Sequence, residues 1–214
     1  MKTDNIVITI GRQMGSGGAI LGKAIAEKYG FHYIDKEFLV KAAEILHSDE
    51  HELEMVDEKT PLWAAWGENI MGDTPYITSE AYHVPTSTQL FNTQVRIMKE
   101  SVEQGPCVII GRCSPHLFRN YPKHMSIFLQ ADENVRLERM EKEVGKKISD
   151  RESAKKYLAK ADKGRAKYYH HYTGKRWMDI DEYDFMLDTT PFTDEQICEI
   201  VFGLIEMRFP ELKK

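Results

Sequence analysis

Short, largely apolar runs alternate along the chain with longer stretches of helical periodicity. Ile6-Val7-Ile8-Thr9-Ile10, Cys107-Val108-Ile109-Ile110, Met125-Ser126-Ile127-Phe128-Leu129 and Phe185-Met186-Leu187 are brief and end in glycine or polar residues, the pattern of strands buried on both faces. Phe31-His32-Tyr33-Ile34 reads as one more short strand. Between the runs, Ile20, Leu21, Ala24, Ile25 and Ala26 supply the apolar face of a helix over about 17–29, with Gly30 as its C-cap. Phe38, Leu39, Ala42, Ala43, Ile45 and Leu46 mark a second helix, and Leu90, Val95, Ile97, Met98 and Val102 a third over about 88–104. Asp132 is placed to start the helix that carries Arg136 and Arg139; a polar helix follows over 149–171, and a last one over about 193–208. Strands alternating with helices predict right-handed crossovers and a parallel five-stranded sheet.

Ligands of such sheets sit at the carboxyl ends of the strands. That edge should therefore collect Gly11–Gly18 after the first strand, Asp35 after the second and Gly111-Arg112 after the third. One stretch departs from the alternation: 48–60 is charged, and 61–87 loses periodicity while gathering Trp63, Trp66, Tyr76, Tyr82 and three prolines. A loop this long is uncommon in a compact domain unless it is functional or has helices of its own, so it reads as an inserted substrate-side or oligomer segment.

The 214 residues are enough for one domain with a sizeable core. A net charge of −5 gives no general basic surface and argues against nucleic acid or an anionic membrane as partner. Cys107, Cys113 and Cys198 form no CxxC pair, no metal-ligand spacing occurs, and no apolar run approaches the roughly 20 residues of a membrane span. A soluble cytoplasmic protein acting on small ligands is the expectation.

Chemistry enters at Gly11-Arg12-Gln13-Met14-Gly15-Ser16-Gly17-Gly18-Ala19. A strand, a glycine-rich turn and a helix N-terminus together cradle an anion on backbone N–H groups. Laid on the usual phosphate loop, Arg12 takes the place of the first glycine, Gly18 that of the lysine and Ala19 that of the magnesium-binding hydroxyl. Arg12 could reach the phosphates from the other end of the loop. Asp35 suits orienting a hydroxyl or capping a helix, and Arg112 suits an anion contact. Arg136 and Arg151 read as part of a solvated face among glutamates, whereas Arg139 and Arg165 are left open between that and closing over a phosphoryl group. Asp162, Arg165 and Tyr169 fall on one helical face, and His170-His171 reads as a solvated pair.

Taken together, these segments resemble the cytidylate kinase-like family of P-loop nucleoside monophosphate kinases. Arg12 before Gly15-Ser16-Gly17-Gly18 looks like that family's lysine-free loop, Tyr33-Ile34-Asp35 its second-strand motif, and Gly111-Arg112 its Gly-Arg-Asp turn with Cys113 in place of the aspartate. Asp162-Lys163-Gly164-Arg165 is similar to its lid element, and Asp188-Thr189-Thr190 to its closing strand. The resemblance implies a three-layer α/β/α P-loop kinase fold in one domain, with an acceptor-side insertion at about 36–104 and a helical lid at about 140–180. It implies transfer of the γ-phosphoryl group of ATP, held with Mg²⁺, to CMP or a related nucleotide. Arg12 with Gly15, Ser16, Gly17, Gly18 and Ala19 would bind the donor; Asp35, Arg112, Asp162 and Arg165 the acceptor; and Arg12, Asp35, Arg139 and Arg165 would act in catalysis. The rival readings are a kinase of another small acceptor and a nucleotide-binding regulatory protein without turnover.

Overall fold

The computed structural model describes residues 5–35, 37–46, 87–145 and 148–213. Five parallel strands, β1 (Val7–Arg12), β2 (His32–Ile34), β3 (Cys107–Ile110), β4 (His124–Gln130) and β5 (Phe185–Asp188), lie in the order β2-β3-β1-β4-β5. The order places β1 at the centre, paired with β3 on one side and β4 on the other. The described helices are α1 (Gly18–Tyr29), α2 (Glu37–Leu46), α3 (Ser87–Gln104), α4 (Ser114–Leu117), α5 (Glu133–Val144), α6 (Arg151–Thr173) and α7 (Asp194–Arg208), with single 3₁₀ turns at Ile180–Glu182 and Pro210–Leu212. Two compact units divide the chain: residues to Asp35 with those from Glu100 onward, and Lys36–Lys99. The charged stretch at 48–60 and nearly all of the aperiodic stretch at 61–87 lie outside the described residues.

Period-two alternation assigns each face of the sheet its own layer. Ile6, Ile8 and Ile10 join Val108, Ile110, Met125, Ile127 and Leu129 in a core closed by Leu21 and Ile25 of α1 and by Ile197, Val201 and Ile205 of α7. On the opposite face Phe128 packs against Trp177 and Tyr183, with ring centroids 5.3 and 4.9 Å apart. A separate small core joins α5 to α6 through Leu137, Met140, Tyr157 and Leu158, and Met14 of the glycine-rich loop packs on it.

Two expectations need correcting. β1 runs two residues beyond its apolar stretch, because Gly11 and Arg12 still pair with Phe128 and Leu129 of β4. Ile20 is exposed rather than buried: the core-facing stripe of α1 is Leu21 and Ile25, four residues apart, and Ile20 falls beside it. Caps fix several helix ends. Gly30 adopts φ 70° and returns its N–H to Ala26 O, and Thr193 and Gln196 form a reciprocal capping box at the start of α7.

Candidate functional site

The loop between β1 and α1 is shaped chiefly by the end of β4. Gln13 donates its N–H to Leu129 O (2.9 Å) and accepts from Ala131 N–H through Oε1 (3.1 Å). Ser16, fully buried, turns its hydroxyl inward to Gln13 O (2.9 Å) and Leu129 O (3.1 Å). The Ser16 hydroxyl therefore fastens the loop to the sheet, and its place in a phosphate cradle would be through the backbone. Gly15 and Gly17 have φ of 76° and 93°, so the chain makes turns there that an L side chain would strain. At Gly15 a Cβ would also lie 2.6 Å from the carbonyl oxygen of Arg136. The first helical hydrogen bond of α1 runs from Leu21 N–H to Gly17 O (3.0 Å), so the N–H groups of Gly18, Ala19 and Ile20 precede the ladder and form a ready anion site.

Arg12 does not lie beside these amides alone. Its aliphatic stem covers Gly18, where a Cβ would meet Arg12 Cγ at 2.8 Å, and its guanidinium reaches Gly111, where a Cβ would overlap Nη1. The side chain thus spans the gap between the start of α1 and the turn after β3. At that turn Gly111, Arg112 and Cys113 take φ of 73°, 54° and 57° in succession. A left-handed run containing two non-glycine residues costs on the order of 1–2 kcal/mol for each of them. Gly111 N–H is held by Ile10 O (3.0 Å), and Ser114 N–H closes the turn on Gly111 O (2.9 Å). Strain of this kind places Arg112, a buried cation, on the same edge as the loop.

Asp35, at the end of β2, accepts a hydrogen bond from Tyr33 Oη (3.1 Å). Burial, and next the Asp35 carboxylate, push the Tyr33 phenol well above its ordinary range, so it stays a donor that fixes the carboxylate.

The arginines of α5 both have nearly buried side chains held by partners. Arg139, read as a candidate for stabilising transferring charge, is consumed by structure: Nε donates to Asp194 Oδ1 (3.1 Å), Nη1 to Thr189 Oγ1 (2.9 Å), and Nη2 to Thr189 O (3.1 Å) and Phe192 O (3.0 Å). Thr189 in turn lies 3.1 Å from Ser16 O, so Arg139 braces the loop from behind. Arg136, read as solvated, is buried and ion-paired with Asp162. Asp162 also accepts from the Met14 N–H (2.9 Å), with Arg165 Nη1 at 3.5 Å. Its carboxylate therefore faces the loop; the spacing had placed it on one helical face with Arg165 and Tyr169, of which Tyr169 bonds Glu182 instead. The sequence alone gives Gln13 and Thr189 no part of their own and Arg136 a solvated one. For Arg136 a signal existed, since it shares a helical stripe with Met140 four residues on.

Away from the loop, Glu182 is buried and accepts from Tyr169 Oη (2.9 Å) and Arg119 Nη1 (3.1 Å), with His116 Nδ1 at 2.8 Å. Burial raises the Glu182 pKa, but its bonds to His116 and Tyr169 outweigh that and hold it below the usual value. Tyr169 and Trp177 are buried, and Trp177 packs on Phe128. Arg151 and His170-His171 are exposed, as expected. Among the described residues no helix is long and apolar enough to cross a membrane.

The model of the cytidylate kinase-like family matches residues 7–191. A cytidylate kinase of Methanopyrus kandleri is 26% identical over 215 residues, covering 96% of both chains. Among solved structures, an uncharacterized protein from Eubacterium ventriosum superposes with a TM-score of 0.65 at 22% identity, over 94% of this chain and 98% of that one. A gluconokinase from Sinorhizobium meliloti superposes with a TM-score of 0.55 at 16% identity, covering 97% and 95%. The glycine-rich loop, the parallel five-stranded sheet and a match spanning the loop to the end of β5 agree: the chain belongs to the cytidylate kinase-like family, with the fold of the P-loop kinases.

Proposed function

We propose that this protein transfers the γ-phosphoryl group of ATP to a nucleoside monophosphate, CMP or a close relative. The observation that carries the reading is Arg12, stretched from Gly18 at the helix N-terminus to Gly111 beside Arg112. Its stem covers Gly18 and its guanidinium lies at Gly111, which sets a cation beside Arg112 on the edge that holds the first-turn amides, as a loop that has lost its lysine requires. In this scheme the first-turn amides of α1 with Arg12 take the donor phosphates, and Arg112 takes the acceptor phosphate. Asp35, fixed by Tyr33, orients the acceptor, and Arg165 lies by the loop where transferring charge develops. Arg139 positions the loop and does not touch the reacting atoms.

Mg²⁺ enters as part of the substrate MgATP. Ala19 offers no side-chain oxygen, and the Ser16 hydroxyl is bonded inward, so these two loop positions leave the ion to the phosphate oxygens and water. Residues 140–180 act as the lid and 36–104 as the acceptor-side insertion.

The reading is tested by coupled detection of ADP with purified protein, MgATP and a panel of nucleoside monophosphates and small sugars or alcohols. Turnover with CMP or a related nucleotide supports it. Transfer only to a non-nucleotide assigns a different acceptor, for which Cys113 in place of a carboxylate beside Arg112 offers a reason. ATP binding without turnover of any acceptor refutes kinase activity and leaves the regulatory reading.

A further inference from the structure

A buried carboxylate gathers three segments behind the turn that carries Arg112. Glu182, in the 3₁₀ turn before β5, has a side chain only 3% exposed. Its Oε2 accepts from Tyr169 Oη of α6 (2.9 Å) and lies 2.8 Å from His116 Nδ1 of α4, while Oε1 accepts from Arg119 Nη1 (3.1 Å). Facing a carboxylate oxygen, His116 Nδ1 carries the ring proton and donates it to the bond. The helix so gripped grows directly out of the left-handed run Gly111-Arg112-Cys113: Ser114 N–H bonds Gly111 O (2.9 Å), and Leu117 N–H bonds Cys113 O (2.9 Å). Four residues of helix do not hold themselves, because nucleation costs more than so few bonds return. The run does not hold itself either, since Arg112 and Cys113 both take a conformation disfavoured for L side chains. The hold comes from partners distant in sequence, and Glu182 supplies it at His116 and again just beyond the helix at Arg119.

We propose that Glu182 is a positioning residue for the acceptor: through His116 and Arg119 it holds α4, and through α4 the strained turn that presents Arg112. Tyr169 steadies the carboxylate from α6. The inference rests on the reading of Arg112 as the contact to the acceptor phosphate. The donor loop is fastened separately, by Leu129 O of β4 and by Arg139 through Thr189. Loss of the Glu182 brace therefore shows on the acceptor and spares the donor.

Steady-state kinetics with MgATP and the best nucleoside monophosphate of the panel, beside calorimetry of ATP alone, reads that division. An unbraced turn that keeps Arg112 in place in about one molecule in ten raises the acceptor KM about tenfold, because apparent affinity scales with the competent fraction. Glu182→Gln and His116→Ala should each show this rise with the Kd of ATP unchanged. His116→Asn, whose side-chain amide donates from nearly the place of Nδ1, should restore most of the acceptor affinity. Positioning acts through Arg112, so in the Arg112→Ala background neither Glu182→Gln nor His116→Ala should raise KM further, a non-additivity that a general loosening of the fold does not produce. Rises that multiply with that of Arg112→Ala, or an equal loss of ATP affinity, overturn the positioning role and leave the kinase reading standing. A wild type that phosphorylates no nucleoside monophosphate overturns both. Should Glu182→Gln fail to fold, the two His116 variants decide alone: equal acceptor KM values for alanine and asparagine reject the brace.

Discussion

The stem of Arg12 occupies the space over Gly18: a Cβ added to Gly18 would lie 2.8 Å from Arg12 Cγ and 2.9 Å from Arg12 Cβ. The two departures from the usual phosphate loop, arginine at its first position and glycine in place of lysine, are therefore one change. Gly18→Lys alone should push Arg12 aside, and overpacking of this kind costs on the order of 1–3 kcal/mol. Its kcat/KM for MgATP should fall about fivefold or more, at the lower end of that cost. Arg12→Gly/Gly18→Lys should recover most of the loss. Steady-state kinetics of the three proteins checks this, and a double variant no better than Gly18→Lys separates the two positions.

How much of this was legible depended on the distance over which each feature is determined. The strands were legible because buried parallel strands are continuous apolar runs; β3 begins and ends where Cys107 and Ile110 do. The loop was legible from its glycines, and the common face of Asp162 and Arg165 from their spacing. The parts of Arg136 and Arg139 were not. Which of two arginines three residues apart meets Asp162 and which meets Thr189 depends on partners 26 and 50 positions away. The hydroxyl of Ser16 was hidden for the same reason, its partner Leu129 O being 113 residues distant.

Arg139 makes three hydrogen bonds to the segment between β5 and α7 and a fourth to Asp194, the first residue of α7. Arg139→Met should remove them together and leave Asp194 and two carbonyls without that partner. Bonds to a charged group contribute about 1.5–3 kcal/mol each and do not add, so a loss of about 3 kcal/mol in urea unfolding is expected. A residue that braces the loop should reduce kcat at saturating substrates by less than about tenfold, whereas a direct stabiliser of transferring charge costs roughly 10²–10³. A large fall in kcat with little change in stability would return Arg139 to the chemistry.

Arg112 holds a left-handed backbone conformation that glycine adopts without strain. Arg112→Ala and Arg112→Gly should both raise the acceptor KM while sparing ATP affinity in the binary complex. The glycine variant should be the more stable of the two by about 1 kcal/mol, the size of the left-handed penalty. Equal unfolding midpoints would show that the turn relaxes once the guanidinium is gone. A loss of ATP affinity in place of acceptor affinity would move Arg112 to the donor side.

His124 links stability to pH. Its ring lies buried on β4, with Nε2 2.8 Å from Thr9 Oγ1, and burial pulls its pKa down to about 4 from the usual 6.5; the nearby Asp184 carboxylate works against that shift and Arg208 with it. The folded protein therefore refuses a proton that the unfolded chain accepts. Stability from this group is complete above about pH 6.5 and falls as the pH drops towards 4, where the folded state begins to take up the proton as well. A shift of this size corresponds to about 3 kcal/mol over the window. The carboxylates held below their usual range, such as Glu182 and Asp188, lose their contribution mainly below that window. Urea unfolding between pH 7.5 and 4 should show the decline in the wild type. In His124→Gln, which cannot titrate, the curve should be flatter over the same range even though the variant starts from lower stability. Parallel curves for the two proteins would mean that another group sets the acid limit.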